Sequence, residues 1–157
     1  MKKYPLDGPN VHALGAVKTT VPPRPICEKL QHHFHHPINL VKVVFRLHIR
    51  DGIFNCKNYT RVKKRNSYTV LYEARGHFHY GKIIQFYVVR KAAVACIQQM
   101  VVTSMHPFDE SIPIVQVEQR DHLDIVDVSM IHEKCLCIEV DDNAMYICRF
   151  PSKILCD

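Results

Sequence analysis

The sequence predicts a small, mainly β domain that forms a partly closed barrel of short, mostly antiparallel strands. Three observations favour this fold class: apolar and polar residues alternate from Leu40 onward, turn dipeptides separate the apolar runs, and six of the nine prolines lie in the first 37 residues. We therefore expect a flexible Pro/His-rich tail or linker over residues 1–39, a barrel-like domain over 40–152 and a short tail over 153–157. A length of 157 residues fits one domain plus a tail.

The N-terminal segment is predicted to lack regular structure because of its prolines. The run Val21-Pro22-Pro23-Arg24-Pro25 is expected to exclude a helix or a central strand, since proline removes a backbone donor and fixes φ. No apolar run approaches the ~18 residues that cross a bilayer, and residues 1–5 lack the apolar stretch of a secretory signal. These features predict an intracellular protein without a membrane partner.

The first predicted hairpin follows this segment. Val41, Val43, Phe45, Leu47 and Ile49 alternate with polar residues, and Asp51-Gly52 favours a type I′ turn. A two-residue loop at Asp51-Gly52 would pair Ile49 with Phe54, Leu47 with Cys56 and Arg46 with Lys57, which keeps apolar side chains on one face.

The remaining elements are predicted from β-branched content and turn residues. Arg75-Gly76 is expected to turn the chain, Gly81 to mark a bulge or sharp bend, and Ser129 to cap a single helical turn over 129–134. The last hairpin should pair Ile138 with Tyr146 and Leu136 with Cys148 around Asp141-Asp142-Asn143, which gives a coherent apolar face. The predicted strands are 67–74, 77–89, 93–102, 112–117, 123–128, 135–140 and 144–150.

No catalytic or cofactor-binding pattern is recognisable. The five glycines match no phosphate-binding loop, and the acidic residues, including Asp121, Asp124 and Asp127, are interpreted as solvated charges. The seven cysteines have no framework spacing and are expected to be reduced, buried thiols. A zinc site at Cys135-x-Cys137 with His132 remains an alternative, and the run His32–His36 is expected to lack the fixed geometry of a metal site. The sequence thus predicts no enzyme, no metal and no cofactor.

Charge is distributed unevenly along the chain. Residues 1–91 carry 17 Lys+Arg and 4 Asp+Glu (+13), whereas residues 92–157 carry 4 and 11 (−7), which together give the net +6. Cations concentrated around one interleaved ring, Tyr59, would suit phosphates and exposed bases. A localisation signal or mutual charge neutralisation within one fold are the alternatives. The candidate nucleic-acid-binding residues are Lys57, Arg61, Lys63, Lys64 and Arg65.

Two stretches resemble a known family. The first contains Arg61-Val62-Lys63-Lys64-Arg65-Asn66-Ser67-Tyr68-Thr69-Val70 and Tyr80-Gly81-Lys82-Ile83, and the second runs from Val128 to Val140 and ends in Arg149-Phe150-Pro151. Over roughly residues 45–155 they resemble the C-terminal β domain of proteins encoded by animal CACTA-type DNA transposons. Gly81-Lys82-Ile83 and Ile131-His132-Glu133-Lys134-Cys135 more distantly resemble steps of the bromo-adjacent homology (BAH) domain.

This resemblance implies an SH3-like barrel that serves as a non-catalytic binding module. Its implied partners are DNA or RNA without sequence preference, chromatin or a transposase core, and its implied location is the nucleus. A protein-interaction module with a peptide groove, or a non-functional transposon remnant, are the alternatives. The candidate groove residues are Tyr72, Tyr80, Phe86 and Tyr87.

Overall fold

The computed structural model describes residues 2–59, 68–140 and 144–149. These residues form an antiparallel β protein with one α-helix, which confirms the predicted fold class. A 3₁₀ turn, Val128–Met130, lies between the eighth and ninth strands. The described elements are β1 (Lys3–Pro5), β2 (Val11–Thr20), α1 (Arg24–Phe34), β3 (Val41–Ile49), β4 (Gly52–Asn55), β5 (Thr69–Ala74), β6 (His77–Val89), β7 (Ala92–Ser104), β8 (Ile114–Asp127), β9 (Ile131–Val140) and β10 (Ala144–Arg149).

Six strands form a ring in the order β6-β5-β9-β10-β8-β7, and β6 closes it by pairing with β7. Strand β3 extends the sheet from the far part of β6, where Val43 pairs with Tyr87. Strands β2 and β1 follow on one side of β3, and β4 pairs with it as well. Closing a sheet on itself removes exposed strand edges, and this is the physical reason why a chain of many short strands is expected to form a barrel.

The prediction of an N-terminal tail over residues 1–39 is wrong for the part that the structure describes. Strand β2 pairs along β3 from Val11 to Thr20 and buries Ala13 in the core. Helix α1 buries Leu30 completely against the sheet. Proline does not prevent this helix because Pro25 lies in its first turn, where a backbone N–H has no partner within the helix.

The first hairpin forms with a different register from the predicted one. Ile49 pairs with Gly52 and Leu47 with Phe54, so the two loop residues are Arg50 and Asp51. Arg50 adopts a positive φ of 56°, and its backbone N–H donates to the carbonyl of Asn10. The shift from the predicted register is two residues, an even number, so the same side chains still face the core.

The last hairpin has the predicted register, but its predicted apolar face is exposed. Ile138 pairs with Tyr146 and Leu136 with Cys148. Cys135 and Ile147, whose side chains point to the opposite face, are the buried ones. The face of Cys135 and Ile147 packs into the barrel interior, so Leu136 and Ile138 on the outer face remain about two-fifths exposed.

Other predictions were confirmed or corrected at single elements. Arg75 and Gly76 form the predicted turn with positive φ at both, and β5, β6 and β7 follow the predicted strands closely. The two predicted strands at 112–117 and 123–128 form one strand, β8, and Asp127 rather than Ser129 caps the 3₁₀ turn. The register irregularity in β6 lies between Ile83 and Gln85, three residues after Gly81.

Gly81 instead permits a close approach between strands. A Cβ atom there would lie 2.5 Å from Ile97 Cγ2 and 2.8 Å from the carbonyl oxygen of Gln98. It would also lie 2.8 Å from Tyr72 Cε1. Since any side chain at this position would overlap the packed core, glycine is required by space rather than by backbone conformation.

Three buried clusters stabilise the fold. The largest lies among strands β2 to β9 and includes Leu47, Tyr72 and Phe86. A second cluster joins α1 to the sheet through Leu30, and the third fills the barrel between β7 and β10 around Cys135. Within the described residues, no helix is long and apolar enough to cross a membrane.

Candidate nucleic-acid interface

The structure describes one of the five predicted nucleic-acid-binding residues, Lys57. It is exposed just after β4, and its backbone N–H donates to the carbonyl oxygen of Ile83 at 2.7 Å. We call the sequence from Lys57 to Arg65 the basic segment, and this hydrogen bond holds its first residue against β6. The other four candidate residues, Arg61, Lys63, Lys64 and Arg65, lie outside the described residues.

Two cation–aromatic pairs involve β3, and one of them uses Tyr59, two residues after Lys57. Lys18 Nζ of β2 is 5.7 Å from the ring centroid of Phe45, and Arg46 Cζ of β3 is 5.3 Å from the ring centroid of Tyr59. Phe45 and Arg46 are consecutive in β3, so both pairs involve the same stretch of this strand. We call the surface formed by Lys18, Phe45, Arg46, Lys57 and Tyr59 the basic-aromatic face.

Neighbouring contacts fix the orientation of these side chains. Arg46 Nε donates to Asn55 Oδ1 at 3.1 Å across the β3–β4 pair. The predicted register placed the like charge of Lys57 opposite Arg46, and the observed register places a hydrogen-bond acceptor there instead. Tyr59 donates its backbone N–H to the carbonyl of Cys56, which anchors the ring beside the guanidinium.

Two histidines extend this surface toward the hairpin end of β3. His12 pairs with His48 across β2 and β3, and their ring centroids are 6.1 Å apart. The Nδ1 atom of each ring is buried without a hydrogen-bond partner. Ile53, paired with His48 on the other side, leaves about two-fifths of its surface exposed.

The predicted aromatic groove does not form an exposed surface. Tyr72 and Phe86 are fully buried in the largest cluster, and Tyr87 is buried in the cluster under α1. Tyr80 is half-buried in the third cluster. Strand pairing distributes the four rings over three separate clusters, so the groove of Tyr72, Tyr80, Phe86 and Tyr87 is a wrong prediction.

An acidic residue that was interpreted as solvated is buried in a polar cluster. Asp124 is 4% exposed and accepts hydrogen bonds from Tyr72 Oη at 2.7 Å, Arg75 Nη1 at 2.7 Å and His122 Nε2 at 2.9 Å. Burial alone would raise the pKa of Asp124, but these three donors outweigh it and lower the pKa below its usual value. No local sequence pattern indicates this cluster, because Tyr72 and Asp124 are 52 residues apart and meet only when distant strands come together.

The cysteines and histidines do not form a metal centre in the part of the chain that is described. No group of three or more potential metal ligands occurs there, and its six cysteines are unpaired thiols. Burial raises the pKa of Cys135 to about 12, which disfavours the thiolate that binds zinc. His132 contacts Glu73 at 3.6 Å and the ring of Phe78 instead of the two cysteines.

Comparisons with known proteins give the chain no family. No family model, no curated protein and no solved structure matches it. The resemblance to transposon-encoded proteins and to the BAH domain therefore stays a prediction from sequence motifs, and the case for function depends on the geometry of the described residues.

Proposed function

We propose that this chain is a non-catalytic module that binds single-stranded nucleic acid, without sequence preference, through the basic-aromatic face. The observation that carries the proposal is a cation–aromatic pair at each of two consecutive residues of β3, Lys18 with Phe45 and Arg46 with Tyr59. Cations neutralise phosphates, while rings offer a stacking surface for bases of any identity. Five cations of the basic segment lie in sequence on either side of Tyr59, which would extend the positive surface.

The proposal implies weak, salt-dependent binding. Non-specific dissociation constants are about 10⁻⁴–10⁻⁶ M at physiological salt. Three to five phosphate contacts on a single strand would give a slope of log K against log salt of about −2 to −3.5. Stacking on one ring contributes about 1–3 kcal/mol to binding.

Fluorescence anisotropy with a labelled oligothymidine tests this at several salt concentrations. We expect Lys18→Glu to weaken binding and to flatten the salt slope, because it removes one cation and adds a repulsive charge. Arg24→Glu makes the same change in charge on helix α1, away from the face, and should affect binding much less. Tyr59→Ala should weaken binding, while Tyr59→Phe, which keeps the ring, should not.

A second experiment addresses the basic segment. Replacing Lys63, Lys64 and Arg65 together by Glu should weaken binding to all sequences alike, since phosphate contacts carry no base information. If the parent chain shows no binding even at low salt, or if the triple change alters only the melting temperature, the proposal is wrong and the segment serves charge balance.

A second candidate function, protein interaction, is favoured by the exposed side of the β8–β9–β10 sheet. The registers align Leu136 with Cys148 and Ile114 in one row, and Ile138 with Tyr146 and Gln116 in the next. Phe108, 60% exposed, lies against Tyr146 with ring centroids 5.1 Å apart. We call this surface, with Val140, the apolar face. Exposed apolar patches on soluble proteins often mark sites of protein contact.

A further inference from the structure

A cleft lies between helix α1 and strand β8, away from the basic-aromatic face. It has a volume of about 500 Å³, within the range of small-molecule sites. The helix contributes Lys29, His32 and His33 to its lining, and the sheet contributes Arg75 and His122. Five nitrogen-bearing side chains from three separate parts of the sequence therefore converge on one space.

Asp124 fixes two of these side chains at the floor of the cleft. Arg75 uses one terminal nitrogen to reach Asp124 Oδ1, and 60% of its side chain remains exposed. His122 uses Nε2 for the same oxygen, and about a third of its side chain is exposed. A guanidinium has five N–H donors in a fixed fork, so Arg75 retains donors for a ligand.

The acidic groups around the cleft already have partners. Asp124 accepts three hydrogen bonds, and Glu28 of the helix lies 3.4 Å from the guanidinium of Arg24. Burial lowers the pKa of His33, and the carboxylate of Asp127 on β8 opposes that shift. Lys29 and the remaining N–H donors of Arg75 thus face the cleft, with three imidazoles whose ring N–H groups can donate hydrogen bonds to an anion.

The opposite part of the lining is apolar. Pro25 of the helix and Leu123 and Ile125 of β8 border the same cleft. Leu123 and Ile125 also pack against the cluster that joins α1 to the sheet. A ligand that fits both parts of the lining therefore has an anionic group and an apolar or aromatic body.

We propose that this cleft binds a small phosphate monoester, with the phosphate on Lys29, Arg75 and the histidines and the organic group against Pro25, Leu123 and Ile125. This site is separate from the basic-aromatic face and does not depend on the function proposed for that face. Arg75 pairs with phosphate oxygens through parallel N–H donors, a geometry that guanidinium groups favour.

The test is a titration of the full chain with phenyl phosphate, inorganic phosphate and phenol, followed by NMR of the histidine rings. We expect saturable shifts of the His122 and His33 resonances with phenyl phosphate, weaker saturable shifts with inorganic phosphate, and no saturation with phenol.

Variants identify the residues that hold the anion. Lys29→Gln should weaken phenyl phosphate binding about tenfold, as expected for the loss of a charged hydrogen bond. Lys3→Gln, the same change at an exposed lysine of β1 outside both proposed sites, should leave this binding unchanged. Arg75→Lys keeps a charge beside Asp124 but loses the planar pair of donors, and it should also weaken binding. Either the absence of saturable shifts or equal losses in the Lys29 and Lys3 variants would overturn the proposal.

Discussion

Two apolar surfaces of the sheet differ in whether another element covers them. On one, helix α1 places Ile26 and Leu30 over β6, β7 and β8 and completes a buried cluster. On the other, the apolar face of β8, β9 and β10 has no covering element among the described residues, and Leu136, Ile138 and Val140 remain 40–48% exposed. Similar alternation of apolar and polar residues thus leads to a buried, stabilising contact beneath α1 and to an exposed surface on the apolar face.

The difference teaches that apolar content alone does not assign a strand face to the core. Burial of a Leu side chain contributes about 1.5–3 kcal/mol only where it leaves water. The covered surface should therefore be sensitive to truncation of side chains, whereas the apolar face should affect association rather than stability.

The largest effect is expected from removing the covering segment as a whole. A chain that begins at Asn39 lacks β1, β2 and α1, and it exposes the edge of β3 together with the cluster around Val41 and Tyr87. We expect it to lose cooperative thermal unfolding, measured by circular dichroism and calorimetry. A cooperative transition near that of the full chain would mean that the segment is only loosely attached.

Truncation of one buried and one exposed leucine gives a matched comparison. Leu30 of α1 is fully buried against the sheet, whereas Leu40, just before β3, is 62% exposed. We expect Leu30→Ala to lower the free energy of unfolding by about 2–5 kcal/mol and Leu40→Ala to change it by about 0.5 kcal/mol or less. Urea denaturation measures both. Equal effects would contradict the assignment of Leu30 to the core.

The stability of the fold should depend on pH through two histidines and Asp124. Burial lowers the pKa of His33 and of His79, so each stabilises the fold above its unfolded pKa of about 6.5 and loses that contribution as the pH falls through the folded value. Hydrogen bonds to Asp124 lower its pKa, so its contribution is complete above about pH 3.9 and is lost below it.

Unfolding free energy should therefore decrease in two stages as the pH falls, first below about 6.5 and again below about 3.9. Asp124→Asn should diminish the acid stage, to which Glu139 also contributes because its hydrogen bond from Lys82 lowers its pKa. The same change should lower stability at neutral pH, because the ion pair with Arg75 is lost. Asp121→Asn, an exposed control on the same strand, should leave both stages intact. An unchanged acid stage in the Asp124 variant would contradict this assignment.

The smallest effect on stability is expected on the apolar face. Replacing Leu136 and Ile138 by Ser should change the free energy of unfolding little, by about 0.5 kcal/mol for each exposed position. Self-association at high concentration, measured by sedimentation velocity, should decrease because the patch loses its apolar surface. A large loss of stability would show that the face is covered in solution.

The two hairpins show how much of the fold is accessible from sequence. Alternation located β3 and β4 and the faces of their side chains, but not the register, because contacts of Arg50 with Asn10 and Ile131 select the turn. The last hairpin has a register fixed by its loop length, yet its buried face was misassigned because Cys135 and Ile147 are no more apolar than Leu136 and Ile138. Local pattern predicts pairing, whereas the identity of the inner face depends on distant strands.

The candidate site was predictable only in part for the same reason. The basic segment is visible as a run of charges, and Lys57 lies at its start. Lys18 contacts Phe45, and Arg46 contacts Tyr59, only after β2, β3 and β4 pair. The cluster around Asp124 joins residues about 50 positions apart, 52 for Tyr72 and 49 for Arg75, and no local pattern indicates it.

Closure of the ring has a consequence for how the chain acquires its structure. The pairing of β5 with β9 joins Val70 to Lys134 across 64 residues, so one edge of β5 has no partner until most of the later strands exist. Contacts of such long sequence separation slow folding, since a large loop must close before they form. During synthesis the open edge of β5 can pair with other chains. Folding yield should therefore depend on protein concentration and chaperone supply more strongly than the stability of the finished barrel suggests.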